Sequence, residues 1–453
     1  MADRAGGGDT GTWNRDTYRT LDLSLRIGEM LLSAGAGAAD VAATMLNVAH
    51  ACGLRGATAD VTFTELAMSH QRAFDEPALI QIRQVKHREI DYEDLTQVDH
   101  LVRDLVSDRI DRNVAGVRLA RIVSSGHRLP RWAVTLGWGA MGAGVGLLVG
   151  GNLVVTLIAG LAAIGVDLLQ RSMSRRRLPG FYQQVAGGLL ATLIAVGAAA
   201  GHLAVSPSLV VTAGIIMLLA GINFMGALQD ALTGFPLTAG ARIMEAMLAT
   251  AGVIAGVSGG LTVGQLLGVD LGRLDPGATA LSNLPVMLLG AAIAAAAFAF
   301  SSYAPLRSLV PIALIAAVAE AVFLVARDRG VGIAWSSATA AVLIGLVSYS
   351  VSGRIRVPPL VVVVSAIVPL LPGLSIYRGL SLLSGGGNGI LSIITAAAIA
   401  IALASGVIFG EYVAQPLKRE ARRLESRLSG PRLVGPLRAR SPRRRARQHA
   451  MTR

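Results

Sequence analysis

Residues 132–150 read WAVTLGWGAMGAGVGLLVG, and residues 152–169 read NLVVTLIAGLAAIGVDLL. Each stretch is almost free of charge, and each is close to the ~20 apolar residues that an α-helix needs to cross a bilayer. A helix that is apolar on all of its faces is either buried in a large core or spans a membrane. The two stretches therefore predict a pair of transmembrane helices at the start of a membrane-embedded part.

The rest of the sequence extends this pattern. Of the 453 residues, 53% are apolar and 15% are charged, whereas charged residues make up about 25% of an average soluble domain. Apolar runs continue to residue 412 and predict ten transmembrane helices, at 132–150, 152–169, 181–203, 208–228, 241–260, 281–300, 308–326, 332–350, 358–372 and 390–412. The predicted fold class is an α-helical polytopic membrane protein.

The net charge of +13 is unevenly distributed, and this argues against a nucleic-acid-binding function. The net charge is −3 in residues 1–130, +5 in residues 131–412 and +11 in residues 413–453. A nucleic-acid-binding protein needs a basic folded surface, whereas here the excess lies in the tail, which we interpret as a disordered end near anionic lipid. Only Lys86 and Lys418 are lysines among 41 basic residues, a bias typical of GC-rich bacterial genomes.

The positions of the arginines predict the orientation in the membrane, because cytoplasmic loops carry an excess of basic residues. With the N-terminus in the cytoplasm, eight arginines fall in inside loops and four in outside loops. Ten spans also place the basic tail inside. We therefore predict a multi-pass protein of the bacterial inner (cytoplasmic) membrane with both termini in the cytoplasm.

The sequence before the first span is polar and predicts a cytoplasmic part. Residues 1–16 are rich in Gly and charge, which predicts disorder, and residues 17–130 predict a small α/β domain. Its predicted elements are helices through Leu21–Leu32, Ala38–Gly53 and Asp94–Arg109 and strands at Val61–Leu66 and Leu79–Val85. The predicted remainder is a first five-helix module (131–260), a second five-helix module (261–412) and a basic cytoplasmic tail (413–453).

An internal repeat supports the division into two modules. Residues 218–228 read LLAGINFMGAL and residues 370–380 read LLPGLSIYRGL, with four of eleven positions identical. Each segment precedes the last helix of its module, and an odd number of spans per module inverts the second module relative to the first. Inverted repeats are typical of secondary transporters, which bind substrate where helices of both repeats are broken. Chance similarity between two apolar, Gly-containing stretches is the alternative.

Ionisable residues inside a membrane are costly and mark candidate functional sites. Glu320 lies well inside the seventh predicted span and is a candidate proton carrier, with a protonated, hydrogen-bonded carboxyl as the alternative. Asp230 and Glu245 flank the broken segment of the first module and are further proton-coupling candidates. Arg242 lies three residues before Glu245, where a local ion pair is the simpler explanation of both. Arg378 follows the Pro-Gly break of the second module and could hold a carboxylate, or could be a solvated loop arginine.

The sequence contains no recognised catalytic motif, and we predict a protein that is not an enzyme and has no cofactor or metal. No phosphate-binding loop ending in GK[ST] is present, so proton coupling is favoured over ATP as the energy source. The histidines lack metal-binding spacing. The alternative from a different class is a membrane-anchored hydrolase acting through Glu65, His70 and His87, which form no recognised constellation. A structural or signalling membrane protein is disfavoured by the intramembrane acids.

Three motifs, read together, resemble the bacterial threonine/serine exporter family. They are LSLRIGEMLLSAGAGAADVAATMLNVAHACGL at 23–54, GALQDALTGFPLTAGARIMEA at 226–246 and PGLSIYRGL at 372–380. Their order and spacing cover roughly residues 20–412. The resemblance implies a cytoplasmic N-terminal domain, ten spans in two five-helix modules, and export of threonine and serine driven by the proton motive force. Ala220 stands where proline commonly precedes the glycine, so the first break is expected to be milder.

The expected function is therefore a secondary transporter that exports L-threonine and L-serine in exchange for protons. The two modules rock about a midplane site, where Gly221 and Gly373 permit unwound backbone that binds the charged ends of the substrate. Three polar residues of the same segments are candidates for recognising the hydroxyl: Asn223, Ser375 and Tyr377. Asp230 or Glu320 would carry the proton.

A same-class alternative is an exporter of small dicarboxylates such as succinate, because split relatives of the family are associated with dicarboxylate export. Such a substrate needs more than one cation near the site, and the sequence offers Arg378 and Arg242. The expected partners are the small amino acid, protons and the lipid bilayer. A homo-oligomer is compatible with the sequence, which does not decide the oligomeric state.

Overall fold

The fold is mostly helical, with one small sheet near the N-terminus. The computed structural model describes residues 10–72, 77–86, 88–201, 207–215, 218, 221–269, 283–372, 375, 379, 382 and 388–428. Side-chain surroundings are described for the same residues except 10–14, 221, 222 and 415–428. The predicted site residues Gly373, Tyr377 and Arg378, the hydrolase candidate His87 and the tail beyond 428 lie outside the described residues.

The N-terminal segment, residues 10–124, contains four helices and three strands. They are α1 (Thr10–Ser33), α2 (Ala38–Ala51), β1 (Ala57–Val61), β2 (Glu65–His70), β3 (Leu79–Gln84), α3 (Tyr92–Val106) and α4 (Arg112–Ser124). Helix α1 begins inside the stretch predicted to be disordered. Asp91 and Asp111 start α3 and α4 as N-caps, because their carboxylates accept hydrogen bonds from the N–H groups three residues on.

The sheet is antiparallel, in the order β1-β2-β3, and it corrects one predicted strand. Residues 61–66 alternate like a strand, but β1 ends at Val61 and β2 begins at Glu65. The N–H of Thr62 donates to the carbonyl of Glu65 at 2.9 Å, which closes a hairpin, and Val61 is paired with Leu66. The alternating pattern of β-branched residues therefore continues through a tight turn. Periodicity by itself does not show where the chain reverses direction.

The rest of the described chain consists of eleven helices. They are α5 (Arg131–Leu148), α6 (Leu153–Arg175), α7 (Gly180–Ala200), α8 (Pro207–Ile215), α9 (Gly221–Leu232), α10 (Pro236–Leu266), α11 (Leu284–Ser301), α12 (Leu309–Asp328), α13 (Ile333–Ile355), α14 (Pro359–Ile367) and α15 (Ile390–Leu428). A 3-10 turn precedes α12, and another, Val368–Leu370, follows α14.

Seven of the described helices are long and apolar enough to cross a membrane, namely α6, α7, α10, α11, α12, α13 and α15. The chain is thus an α-helical membrane protein. The described residues of the fourth predicted span lie mainly in α8, of nine residues, and α9, of 12, and the ninth contains α14, of nine. At 1.5 Å per residue, none of these three helices by itself reaches across the ~30 Å hydrocarbon core.

The N-terminal segment and the membrane helices share one continuous core. Buried side chains of α1, α2 and α3 belong to the same apolar cluster as buried side chains of α11, α12, α13 and α14. Tyr92 is the deepest link, since it is 1% exposed and its ring meets that of Phe298 edge-on, with centroids 6.3 Å apart. The N–H of Tyr92 donates to the carbonyl of Ser302 at 2.9 Å. The segment is therefore packed against the membrane part rather than tethered to it.

Candidate functional site

The short turn between α1 and α2, residues 34–37, lies against α9 and α10. Helix α2 has Gly37 at its N-cap position and therefore no capping side chain of its own. The carboxylate of Asp230, on α9, accepts a hydrogen bond from the N–H of Ala38 at 2.8 Å. A carboxylate suits this place, because the N-terminus of a helix carries a partial positive charge.

Arg242, on α10, completes this junction. Its Nε lies 3.2 Å from Oδ2 of Asp230, and its second terminal nitrogen donates to the carbonyl of Ala36 at 3.0 Å. Asp230 is 0% exposed and Arg242 is 8% exposed. The ion pair expected between Arg242 and Glu245 is therefore wrong, because the guanidinium turns inward to the buried carboxylate. A further contact joins the hydroxyl of Thr238 to the carbonyl of Val61 at 3.1 Å.

A polar cavity of about 130 Å³ lies beside this junction. Its walls come from the α1–α2 turn, from residues 88–92 before and at the start of α3, and from α9, α10 and α14. The charged and amide side chains that line it are Arg88, Glu89, Asn223, Gln229, Arg242 and Glu245, and Ser33 and Tyr92 add hydroxyl groups. A water molecule takes up roughly 30 Å³ in the liquid, so the cavity has room for about four waters and hence for a small polar ligand.

The predicted site residues are divided by the structure. Asn223 and Glu245 line the polar cavity, and Asp230 lies directly behind Arg242 in its wall. Gly221 is the first described residue of α9, and the two residues before it lie outside the described residues. Ser375 is half-buried in helical conformation, and its counterparts Gly373, Tyr377 and Arg378 lie outside the described residues.

Glu320 lies apart from this cavity. It is 3% exposed on the buried face of α12, and its Oε2 has no hydrogen-bond partner among the described residues. Helix α12 contributes no side chain to the wall of the polar cavity. A buried carboxylate without a partner is costly, so Glu320 is a polar group that packing alone does not explain.

A second cavity, of about 360 Å³, separates α2 and α3 from α13, α14 and α15. Its acidic lining consists of Asp40, Asp99 and Glu411, and Gln229 lines both cavities. Burial raises the pKa of Asp40, and the nearby Asp230 carboxylate raises it further. Burial likewise raises the pKa of Asp99, although Arg103 lies 2.7 Å from its carboxylate and opposes the shift.

Of the three residues considered for a hydrolase, the two described ones, Glu65 and His70, do not come together. Glu65 and His70 occupy the first and last positions of β2, and five steps of about 3.3 Å along a strand separate them by roughly 16 Å. Glu65 is paired with Gln84 and His70 with Leu79, at opposite ends of the β2–β3 ladder. The described part of the segment therefore shows no joint site for this pair.

Arg88 is a lining residue that sequence reasoning missed, as are Glu89 and Gln229. It lies in the connection between β3 and α3, and the carbon of its guanidinium is 3.5 Å from the centroid of the Phe63 ring. Burial, and then the charge of Arg242, lower the pKa of Arg88 to about 10. Nothing in the local sequence distinguishes this arginine from its neighbours, because its position depends on docking to α9 and α10.

Comparisons with known proteins agree with this organisation. A family model described as a putative threonine/serine exporter matches residues 22–264, and one described as threonine/serine exporter, ThrE, matches residues 287–413. A probable threonine/serine exporter of Mycobacterium tuberculosis is 34% identical over 92% of this chain and 80% of its own length. A threonine/serine exporter of Corynebacterium glutamicum is 32% identical over 89% of this chain and 84% of its own length.

No solved structure matches the chain significantly. The first family match begins in α1 and ends in α10, so it includes the α1–α2 turn, Asp230, Arg242 and all the lining residues of the polar cavity except Leu360 and Val364 of α14. The second match extends from α11 into α15. The two family models together match most of the chain, as does each of the two relatives, and all four name a threonine/serine exporter. The chain therefore belongs to the threonine/serine exporter family.

Proposed function

We propose that the protein exports L-threonine and L-serine from the cytoplasm by antiport with protons. The observation that carries the proposal is the polar cavity, whose α9 and α10 walls present an amide, a cation and an anion, from Asn223, Arg242 and Glu245. An amino acid has a carboxylate, an ammonium and, in threonine and serine, a hydroxyl. The names of the two relatives give the same substrates for those proteins.

The charge of the cavity favours an amino acid over a dicarboxylate. Arg242 is already paired with Asp230, so it is only partly available to a second anion. Glu245 lines the same cavity and would repel a second carboxylate, whereas it would attract an ammonium group. In the proposed binding mode Glu245 faces the ammonium and Asn223 donates to or accepts from the hydroxyl.

We assign the proton to Glu320. Asp230 has two partners, Ala38 and Arg242, that stabilise its ionised form, whereas Oε2 of Glu320 has none among the described residues. A carboxyl that is neutral when enclosed and ionised when water or a cation reaches it can carry a proton between two conformations. In this assignment Glu245 does not carry the coupled proton and faces the ammonium group of the substrate.

The inverted repeat is part of the same proposal. In each half, short helices precede a long one: α8 and α9 before α10, and α14 before α15. In each half, too, the long helix packs tightly on an earlier one, since a Cβ at Gly256 of α10 would overlap the carbonyl of Val185 in α7, and a Cβ at Gly345 of α13 would overlap that of Val407 in α15. We propose ten membrane-associated helical units in two such halves, in the bacterial inner membrane, with both termini in the cytoplasm.

The test is transport into inverted inner-membrane vesicles, whose lumen corresponds to the cell exterior. Vesicles that contain the protein should accumulate labelled threonine when the lumen is acidified, and a protonophore should abolish the accumulation. Unlabelled serine should compete, and succinate should not. Absence of threonine and serine uptake under every condition would contradict export, and uptake that ignores the pH gradient would contradict proton coupling alone.

A further inference from the structure

The polar cavity contains a cation that the membrane helices do not supply. We propose that Arg88, from the N-terminal segment, binds the α-carboxylate of the transported amino acid. The proposal rests on the proposed function and adds to it that the substrate site is built jointly by the N-terminal segment and the membrane helices.

The first argument is the fixed position of the Arg88 side chain. Its guanidinium stacks on the ring of Phe63 at 3.5 Å, so one flat face is occupied by an aromatic ring. Stacking leaves the N–H groups along the edge of the guanidinium free to donate, and two of them match the spacing of a carboxylate. A pre-oriented fork binds an anion with less loss of side-chain entropy than a free arginine does.

The second argument is an unused donor. Nη2 of Arg88 is buried, and no hydrogen-bond acceptor for it is found among the described residues. A buried donor without an acceptor costs about 1–3 kcal/mol, and more when it is charged. Arg88 lines the polar cavity. An acceptor in this cavity would remove the cost if a small rotation of the guanidinium brought Nη2 to it.

The third argument is the balance of charges around the cavity. After burial, the charges that most affect the pKa of Arg88 are those of Arg242, Glu245 and Asp230, in that order. Arg242 and Asp230 pair with each other, and within the described chain neither Arg88 nor Glu245 has an opposite charge within 4.0 Å. Glu89 also lines the cavity without an opposite charge within 4.0 Å among the described residues. The cavity thus retains one unpaired cation, which complements the carboxylate of a zwitterion, and two unpaired anions, either of which complements its ammonium.

The experiment measures competition against labelled L-threonine bound to the purified full-length protein. The competitors are L-threonine and L-threoninol, which keeps the ammonium and the hydroxyl but lacks the carboxylate. The unmodified protein should prefer threonine. In Arg88→Gln the affinity for threonine should fall about ten- to a hundredfold, the range expected for a lost charged hydrogen bond, and the affinity for threoninol should stay unchanged.

The matched control is Arg55→Gln, because Arg55 is an exposed arginine of the same segment that does not line the cavity. Its affinity for both ligands should equal that of the unmodified protein. Arg88→Lys keeps the charge without the planar fork, so it should lose part of the preference for threonine. This variant also serves if Arg88→Gln does not fold.

The outcomes separate this proposal from the proposed function. If the unmodified protein binds neither threonine nor serine, the proposed function fails. If it binds threonine while Arg88→Gln and Arg88→Lys retain the full preference for threonine over threoninol, the assignment of Arg88 is wrong and the proposed function stands. An equal loss of affinity for both ligands would also overturn the assignment, since it would show a structural effect rather than carboxylate binding.

Discussion

The carboxylate of Asp230 accepts a hydrogen bond from the backbone N–H of Ala38 at 2.8 Å, across 192 residues of sequence. Asp230 thereby caps helix α2 of the N-terminal segment from the membrane helix α9, and Arg242 holds the carboxylate from the other side at 3.2 Å. The Asp230–Ala38 hydrogen bond therefore joins the N-terminal segment to the wall of the polar cavity. Loss of this hydrogen bond should affect both the folding of the protein and its binding of substrate.

The first prediction concerns this buried pair. Asp230→Ala should destabilise the protein by about 3–5 kcal/mol, because it leaves the buried charge of Arg242 without a partner. The double variant Asp230→Ala/Arg242→Met should recover part of the loss, since it removes the orphaned charge as well. The measurement is the midpoint of thermal unfolding in detergent. A double variant as unstable as the sum of the two single variants would show that the two residues are not coupled.

The second prediction concerns docking by Tyr92. Tyr92→Ala removes a fully buried ring that contacts Phe298, so it should cost about 3–5 kcal/mol. Tyr92→Phe keeps the ring and should be close to the unmodified protein. Limited proteolysis should cut residues 10–124 faster in Tyr92→Ala than in Tyr92→Phe, because the segment is then held less firmly. Equal cleavage of both variants would show that the ring does not hold the segment in place.

The sequence predicts the elements of this protein better than their arrangement. Apolar runs of the right length predict seven long membrane helices, because a bilayer demands both properties of the local sequence. The first predicted span, 132–150, forms α5, which is not among the seven. The ninth run, 358–372, is short for a span, and in the structure its α-helix covers only Pro359–Ile367, followed by a 3-10 turn. Hydropathy averages over a window, and it does not register where a helix stops inside an apolar run.

The candidate site was predicted only in part, for a related reason. Asp230 and Glu245 were identified because charged residues are rare in apolar stretches of sequence. Glu245 lines the polar cavity, and Asp230 lies behind Arg242 in its wall. The roles of Arg88 and Tyr92 depend on contacts with residues far away along the chain. Nothing near them in sequence encodes those contacts, so only the folded arrangement identifies them.

The third prediction concerns the close approach of α7 and α10. A Cβ at Gly256 would overlap the carbonyl of Val185, whereas a Cβ at Gly259 would meet only a leucine methyl at 3.9 Å. Gly256→Ala should therefore lower the unfolding midpoint, because the two helices must separate. Gly259→Ala should leave it unchanged or raise it, since alanine favours the helix by about 1 kcal/mol. Equal midpoints for the two variants would contradict the packing.

The fourth prediction is a pH dependence at the start of α3. Burial, and then the charge of Asp91, raise the pKa of Asp94 from 3.8 to about 6, with His127 opposing and Glu93 adding to the shift. The folded protein therefore binds this proton more tightly than the unfolded chain does. The ionised carboxyl destabilises the fold above about pH 6, and that cost disappears as the pH falls toward the unfolded value.

Asp94→Asn removes the titration while it keeps the shape of the side chain. It should raise the unfolding midpoint at pH 7 and raise it much less at pH 5, compared with the unmodified protein at the same pH. A change in midpoint that is the same at both values would show that the Asp94 carboxyl does not titrate between them.

The last prediction concerns Glu320 and distinguishes the movement of threonine across the membrane from its coupling to protons. Glu320→Gln keeps the size of a side chain that is 3% exposed and removes its ability to release a proton. In inverted vesicles this variant should lose accumulation of threonine driven by an acidic lumen. It should retain the exchange of labelled for unlabelled threonine, because exchange requires only the movement of the loaded site and no net proton release. The matched control is Asp328→Asn, an exposed acid at the end of the same helix, which should remain fully coupled.

Asp230→Asn decides between the two proton-carrier candidates. Its side-chain oxygen can still accept from Ala38, but it loses the ion pair with Arg242, so both accumulation and exchange should weaken together if Asp230 is structural. If Asp230→Asn instead loses accumulation and keeps exchange while Glu320→Gln is fully coupled, the proton belongs to Asp230. If both variants accumulate threonine like the unmodified protein, antiport through these two carboxyls is wrong. Glu320 is the coupling residue only if Glu320→Gln loses accumulation of threonine and retains exchange.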